Sequence, residues 1–326
     1  MTAATVCLFD PGLQNRRGDP SHNLGDVIIQ QAVTRELTAL FPGAEVMRIA
    51  THAYPSRQEI DRALDADWLL VGGSNIVASY AWIYREWKVH PWQIARLRGR
   101  VVLFGCGWGW YQPRPTLPAR WMLNTLLSRK HTHSVRDGYT LRHLAALGFD
   151  NAINTACTTL WPLANMTLPA AKCDDVLVML TDYRPDRQAD RQLLVLAHER
   201  YARVHIWYQG VRDEAYASEL RGANSKPLHE IPHDYARFEA FLASGPVFDY
   251  IGTRLHGGIR CMLAGRRALI VEVDNRAAEM ARDVGLPTAA RGDIAAIERW
   301  IDDPHPVALR VPVDAIGRWR AQFARA

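Results

Sequence analysis

The stretch FDYIGTRLHGGIRCMLAG, residues 248–265, decides the fold. Phe248–Ile251 reads as a short strand, followed by a tight glycine-bearing turn and a helix that stops at Gly265. Arg254 and His256 fall in the turn, where the helix begins. A permanent cation, a titratable imidazole and the open N–H groups of a helix N-terminus are thereby crowded into one spot. That chemistry suits a small, dense anion.

Moving outward, the same alternation of short apolar strands and amphipathic helices recurs on both sides. Val6–Phe9, Val46–Ile49, Trp68–Val71, Val101–Phe104 and Thr132–Val135 read as strands in the first half. Residues 10–25 form a polar loop, and Ile29, Val33, Leu37 and Leu40 share one helical face behind it. In the second half, Val176–Leu180, Val204–Trp207, Phe248–Ile251 and Ala268–Val273 are strands separated by helical segments. Val313–Ala326 reads as an amphipathic terminal helix. This is the pattern of an α/β protein with parallel, doubly wound sheets. It breaks around Thr158–Asp175, where Pro162 and Pro169 fall. Two Rossmann-like domains are therefore expected, 1–165 and 166–326, the second carrying the terminal helix. Ligands of such pairs gather in the cleft that the domains face.

A chain of 326 residues has room for two such cores. No apolar run approaches the length needed to span a bilayer, and MTAATVCLFD lacks the pattern of a signal peptide, so a cytoplasmic protein is expected. The five cysteines are scattered and without metal-ligand spacing, as expected of reduced, mostly buried thiols. A net charge of +5 is mild. It fits an anionic substrate and leaves open both peripheral attachment to an anionic membrane face and a homo-oligomer. No basic block interleaved with aromatics argues for nucleic acid. GxGxxG after the first strand, GxxxxGK[ST], GxSxG and HExxH are all absent, so no nucleotide cofactor or metal is expected.

Several clusters fall at strand ends, the edge where open parallel sheets bind ligands. They are His22-Asn23-Leu24-Gly25-Asp26, Gly72-Gly73-Ser74-Asn75, Gly105–Gly109, Arg136-Asp137 and Arg254–Gly258. Each has a plainer alternative. A glycine pair is a tight turn, Asp26 or Asp137 a helix cap, Arg136 half of an ion pair, and His256 a core histidine. Trp82, Trp87 and Trp92 border one long segment, and Trp108, Trp110 and Tyr111 sit on the glycine-rich loop. Aromatic faces there suit sugar rings, with core packing as the alternative.

The order of these pieces resembles the polysaccharide pyruvyltransferase family. The matching motifs are Asn23-Leu24-Gly25-Asp26, Ala66–Gly73, Phe104-Gly105-Cys106-Gly107, Ser134–Gly148 with its S-V-R-D start, and Arg254–Asp274 with its R-L-H-G start. The sequence departs from the family in carrying Ser74-Asn75 where a third glycine is common, and Arg276 where a lysine is common. The resemblance implies a GT-B-like pair of domains, with the first on the acceptor side and the second on the donor side. It implies transfer of the pyruvyl group of phosphoenolpyruvate to two hydroxyls of a sugar, in a polysaccharide of the cell envelope or its lipid-linked precursor. The product would be a pyruvate ketal, with phosphate released. Under it, Arg136, Arg254, Leu255, His256, Gly73 and Ser74 would bind the donor. Asn23, Trp108, Trp110 and Tyr111 would bind the acceptor, His256 would act as general acid and Asp26 as general base. The rival readings are a GT-B nucleotide-sugar glycosyltransferase, with Glu272 as the nearest candidate for a ribose ligand, and a non-catalytic glycan-binding relative.

Overall fold

Aliphatic runs such as Trp68–Gly72 and Val101–Phe104 are buried along their whole length. That is the signature of strands covered on both faces, so the sheets they form are parallel. The computed structural model describes residues 4–81, 83, 86–221 and 226–324. It divides into two units. The first comprises 1–21, 26–161 and 311–326, and the second 22–25 and 162–310.

In the first unit the chain runs β1 (Thr5–Asp10), α1 (Leu24–Leu40), β2 (Glu45–Ala50), α2 (Arg57–Asp65), β3 (Trp68–Gly72), α3 (Pro91–Arg96), β4 (Val101–Phe104), α4 (Leu117–Leu126), β5 (His133–Val135), α5 (Gly138–Ala145) and β6 (Ala152–Asn154). The strands form a four-stranded parallel sheet ordered β2-β1-β3-β4 and a parallel pair β5-β6. A bridge from Cys106 to Val135 joins the pair to the end of β4. A 3-10 helix, Thr158–Asn165, follows.

The second unit holds β7 (Asp175–Met179), α6 (Arg187–Arg200), β8 (Arg203–Trp207), α7 (Asp213–Leu220), β9 (His229–Ile231), α8 (Tyr235–Ser244), β10 (Phe248–Gly252), α9 (Leu255–Leu263), β11 (Ala268–Glu272), α10 (Asn275–Val284), β12 (Thr288–Ala290) and α11 (Ile294–Asp302). Its six-stranded sheet is parallel throughout, ordered β12-β11-β10-β7-β8-β9. The strand order therefore reverses between β7 and β10. Helix α9 lies close on this sheet because Gly258 has no side chain. A Cβ there would overlap Ile270 Cδ1 and the Tyr250 ring.

The expected fold class, α/β with two parallel-sheet units, is the one observed. Three strands escaped the sequence pattern: β6 (AIN), β9 (HEI) and β12 (TAA) have three residues each, too few to show a period. The expected assignment of the terminal helix to the second domain is overturned. Helix α12 (Val313–Ala321) belongs to the first unit. Its fully buried Trp319 packs 4.4 Å from Phe104 and 5.9 Å from Trp161, ring to ring. Phe323, just beyond, sits 4.5 Å from Trp68 and 5.3 Å from Phe41. The division between units falls at Trp161/Pro162 rather than at 165, because Trp161 is part of this aromatic cluster.

Trp319→Ala should therefore destabilise the first unit by about 3–5 kcal/mol, although it lies seven residues from the end of the sequence. Urea unfolding followed by far-UV circular dichroism tests this. A loss under about 1 kcal/mol would show the helix to be a dispensable appendage.

Candidate functional site

In a doubly wound sheet, a crevice opens outside the carboxyl ends of the strands where the order reverses. In the second unit that place is the end of β7 and β10. A polar recess is found there, lined by Thr181 and Tyr183 after β7, Gln209 after β8, Thr253–His256 after β10, Val273 and Arg276 after β11, and Asn23.

Arg254 is the residue immediately before α9, and its backbone is extended (φ −94°, ψ 95°). Two bonds hold the turn. The Tyr250 hydroxyl donates to the Arg254 carbonyl at 2.7 Å, and Thr253 N–H donates to the Met179 carbonyl at 2.8 Å. The guanidinium is held by Asp213, the first residue of α7. Nε donates to Oδ2 at 2.8 Å and Nη2 to Oδ1, a bidentate fork. Nη2 also reaches Asp182 Oδ1 at 3.4 Å. Asp213 in turn accepts the N–H groups of Gly210 (2.7 Å) and Asp182 (3.1 Å). Burial raises the Asp213 carboxyl above the usual carboxylate range, while Arg254 and these two amides pull it back. Gly210 makes room for the fork, since a Cβ there would overlap Arg254 Nη2. Among the described residues Arg254 Nη1 has no protein partner, so the remaining face of the guanidinium serves the recess.

His256 is the second residue of α9 and is buried. It lines the same recess as Arg254, as does Leu255. Gln209 is 3% exposed, and its Oε1 has no hydrogen-bond partner in the described structure. Its Nε2 donates to Asn23 Oδ1 at 2.9 Å. An orphaned buried acceptor calls for a donor from outside the chain, such as a hydroxyl or a protonated phosphate oxygen. The recess thus presents a guanidinium edge, a helix N-terminus, an imidazole and one unsatisfied acceptor. Among the described residues no group of three His, Cys, Asp or Glu side chains could hold a metal ion.

The first unit carries its own polar cluster at the corresponding edge, after β1 and β3. Asp26 lies in the first turn of α1, where the helix dipole favours its charge. Its carboxylate accepts from Ser21 Oγ at 3.0 Å and from Ser74 Oγ at 3.3 Å. It is not the helix cap. The helix starts at Leu24, and Asn23 Oδ1 accepts Gly25 N–H at 3.2 Å instead. Gly73 (φ 72°) and Ser74 (φ 59°) are both left-handed. A serine in this region costs backbone strain of order 1–3 kcal/mol.

Two expectations for the first unit are overturned. Arg136 is turned inward rather than standing open in a recess. It is 1% exposed, with Nε on Asp137 Oδ2 at 3.0 Å and Nη2 on Asn75 Oδ1 at 2.5 Å and the Trp108 carbonyl at 3.2 Å. It is the buried pin that holds the loops after β3 and β4 to the end of β5. Trp108 is no exposed platform either. It is fully buried, its Nε1 donates to Ser79 Oγ at 3.1 Å, and its ring stacks on His143. Trp87 is likewise core, edge-on to Phe9. Trp110 is half-buried and Tyr111 is 54% exposed beside Tyr139, so these two keep an aromatic surface at the loop tip. Trp82 lies outside the described residues. The sequence reading missed Gln209 and Asp213. The signal that could have found them is the strand end Trp207–Gly210 followed by an acidic helix start.

The Asp213–Arg254 fork can be measured directly. Asp213→Ala and Arg254→Ala should each destabilise the second unit by about 3–5 kcal/mol, since each strands a buried charge. The double variant should fall well short of the sum. Strictly additive losses in a double-mutant cycle of urea unfolding would mean that the two side chains do not depend on each other.

With this geometry established, likenesses to known proteins can be placed. The sequence model of the polysaccharide pyruvyl transferase family matches residues 23–275, from the Asn23 cap through the Arg254–His256 turn. No curated protein matches the chain in sequence. Among solved structures, the UDP-GlcNAc 2-epimerase of Methanocaldococcus jannaschii in complex with UDP-GlcNAc and UDP aligns with a TM-score of 0.53 at 10% identity, over 99% of each chain. The S. aureus MnaA–UDP co-structure aligns at 0.49 and 11% identity over 100% of this chain and 91% of that one. E. coli heptosyltransferase WaaC with ADP aligns at 0.40 and 14% identity over 91% and 97%. At such identities the likeness is one of fold, the GT-B class. The family match spans well over half of the sequence and includes four of the five strand-end clusters whole, with the fifth entered at Asn23, and on that ground the chain belongs to the polysaccharide pyruvyl transferase family.

Proposed function

We propose that the protein transfers the pyruvyl group of phosphoenolpyruvate to two hydroxyls of one sugar, forming a cyclic pyruvate ketal and releasing phosphate. The observation that carries this reading is the Arg254 guanidinium, fixed by Asp213 at the N-terminus of α9 with His256 in the same recess. A pre-positioned fork plus helix N–H groups matches a small molecule bearing a carboxylate and a phosphate.

The chemistry balances as follows. His256, as imidazolium, gives its proton to the methylene carbon of the donor, and positive charge develops at C2. A sugar hydroxyl oxygen bonds to C2, and its proton passes to a general base. The C2–O bond to phosphate then breaks, the electron pair leaving with phosphate, where Arg254 stabilises the charge. The second hydroxyl closes on C2 and loses its proton, regenerating the acid. Arg136 acts as a positioning residue that holds Asn75 and the Trp108–Tyr111 loop rather than as a donor ligand. Asn23, Gly73 and Ser74 shape the same edges, and Trp110 and Tyr111 are the aromatic groups assigned to the acceptor. The polymer served is a cell-envelope polysaccharide or its precursor, with no metal or organic cofactor in the scheme.

One observation favours a second reading, a nucleotide-sugar transferase. Glu272 ends β11 half-buried and its carboxylate makes no hydrogen bond or ion pair among the described residues, as a ribose-binding carboxylate would before its ligand arrives.

An assay separates the two. The protein is incubated with phosphoenolpyruvate and a panel of galactosyl, glucosyl and mannosyl glycosides, and phosphate release and the mass of a ketal product are followed. Ketal formation is expected, with Arg254→Ala losing donor binding and His256→Ala keeping binding but losing turnover about 100-fold or more. Binding of a nucleotide sugar, weakened by Glu272→Gln, with no phosphate released from phosphoenolpyruvate by any acceptor, would overturn the pyruvyl reading. Full turnover in His256→Ala would remove that residue as the acid.

A further inference from the structure

Residues 87–136 contain no Asp or Glu and nine Lys or Arg. An even spread of the chain's 34 acidic residues would place about five there, so the run is strongly biased. Some of this charge is used internally. Arg136 is buried, Arg96 pairs with Asp61 of α2, Arg100 donates to the carbonyls of Leu64 and Ala66, and Arg129 lies over the Phe149 ring. Arg98, Arg114, Arg120 and Lys130 remain exposed and join no ion pair among the described residues.

The same segment carries apolar groups on its outer side. Helix α4 buries Ala119, Met122, Leu123 and Leu126 against the sheet, yet leaves Leu117 78% and Trp121 44% exposed, one turn apart on the opposite face. Helix α3 packs beside it, tied by the Gly99 N–H to the Thr125 carbonyl at 2.8 Å, and leaves Trp92 44% exposed. Two half-exposed indoles and an exposed leucine, which cost free energy in water, thus share one segment with four exposed cations. They match the interfacial zone of a bilayer, where an indole straddles headgroup and acyl chain and the arginines meet lipid phosphate.

We propose that this α3–α4 face docks peripherally on an anionic lipid bilayer. Charge decides between the candidate occupants. A second copy of the chain, meeting the patch through a two-fold axis, would set like charge against like. An anionic bilayer complements both the indoles and the cations. No helix of the described residues is long and apolar enough to cross a membrane, so the contact is one of surface docking. Because α4 begins just beyond the loop that leaves β4, Leu117 stands at the carboxyl edge of the first unit's sheet, the edge that carries Asp26 and Ser74. Docking would bring that edge to a lipid-linked sugar. The proposal itself does not rest on the identity of the donor.

Vesicle flotation of the full chain tests it, with phosphatidylcholine vesicles compared with phosphatidylcholine–phosphatidylglycerol vesicles at low and high salt. The protein is expected to float with the mixed vesicles only, and to be released by salt. Arg114→Glu combined with Arg120→Glu should lower the partition coefficient about tenfold or more, and Trp121→Ser about tenfold, with circular dichroism unchanged because all three side chains are exposed. Absence of flotation with anionic vesicles at low salt would overturn the proposal. So would binding indifferent to Trp121→Ser, which would show charge acting without insertion. A concentration-dependent dimer dispersed by Trp121→Ser in light scattering would assign the face to a second copy instead.

Discussion

Everything in the second unit that bears on chemistry depends on the Asp213–Arg254 fork. A guanidinium on a flexible stem is a poor clamp, because ordering it costs rotamer entropy on every binding event. Here the order is built in. Asp213 is fixed by two backbone amides, Gly210 clears the space, and Tyr250 holds the carbonyl of the same arginine. Two edges of the guanidinium are used for this purpose, which leaves one for a ligand. The arrangement stands at the carboxyl ends of β7, β8 and β10, where the reversal of strand order opens the sheet. Topology supplies the crevice and the fork fixes the Arg254 guanidinium within it.

The first unit solves a related problem with the opposite allocation. Arg136 spends its donors on Asp137, Asn75 and the Trp108 carbonyl. It ties the loops after β3 and β4 to the end of β5. Such a fully buried pair is costly to desolvate and is retained where geometry matters more than stability. The left-handed Ser74 points the same way: strain is kept where its hydroxyl meets the Asp26 carboxylate.

Much of this was legible in the sequence. The strand-turn-helix at 248–265 declared the α/β class, and the position of Arg254 and His256 at a strand end marked the recess. What escaped has physical reasons. Asp213 and Gln209 reach the recess from strands distant in sequence, and no local spacing records that convergence. Trp108 is buried although it sits on a glycine-rich loop, which suggests an open surface. Gly107 instead lacks a side chain so that the Arg136 guanidinium can lie against it. Burial is equally hidden from the sequence. His133 is a core histidine, its Nδ1 accepting Leu103 N–H at 3.1 Å and its Nε2 donating to the Ser128 carbonyl at 2.8 Å, and burial pushes it down to about 4. Nothing in HTHSVRD separates it from a catalytic imidazole.

The central claim is that the recess between Gln209, Arg254 and the start of α9 is the phosphoenolpyruvate site. A crystal structure of the protein soaked with phosphoenolpyruvate measures this most directly. The account predicts the ligand in that recess, with an anionic oxygen on Arg254 Nη1 and the Asp213 fork unchanged. Phosphoenolpyruvate bound elsewhere, or a fork that opens to admit it, would contradict it.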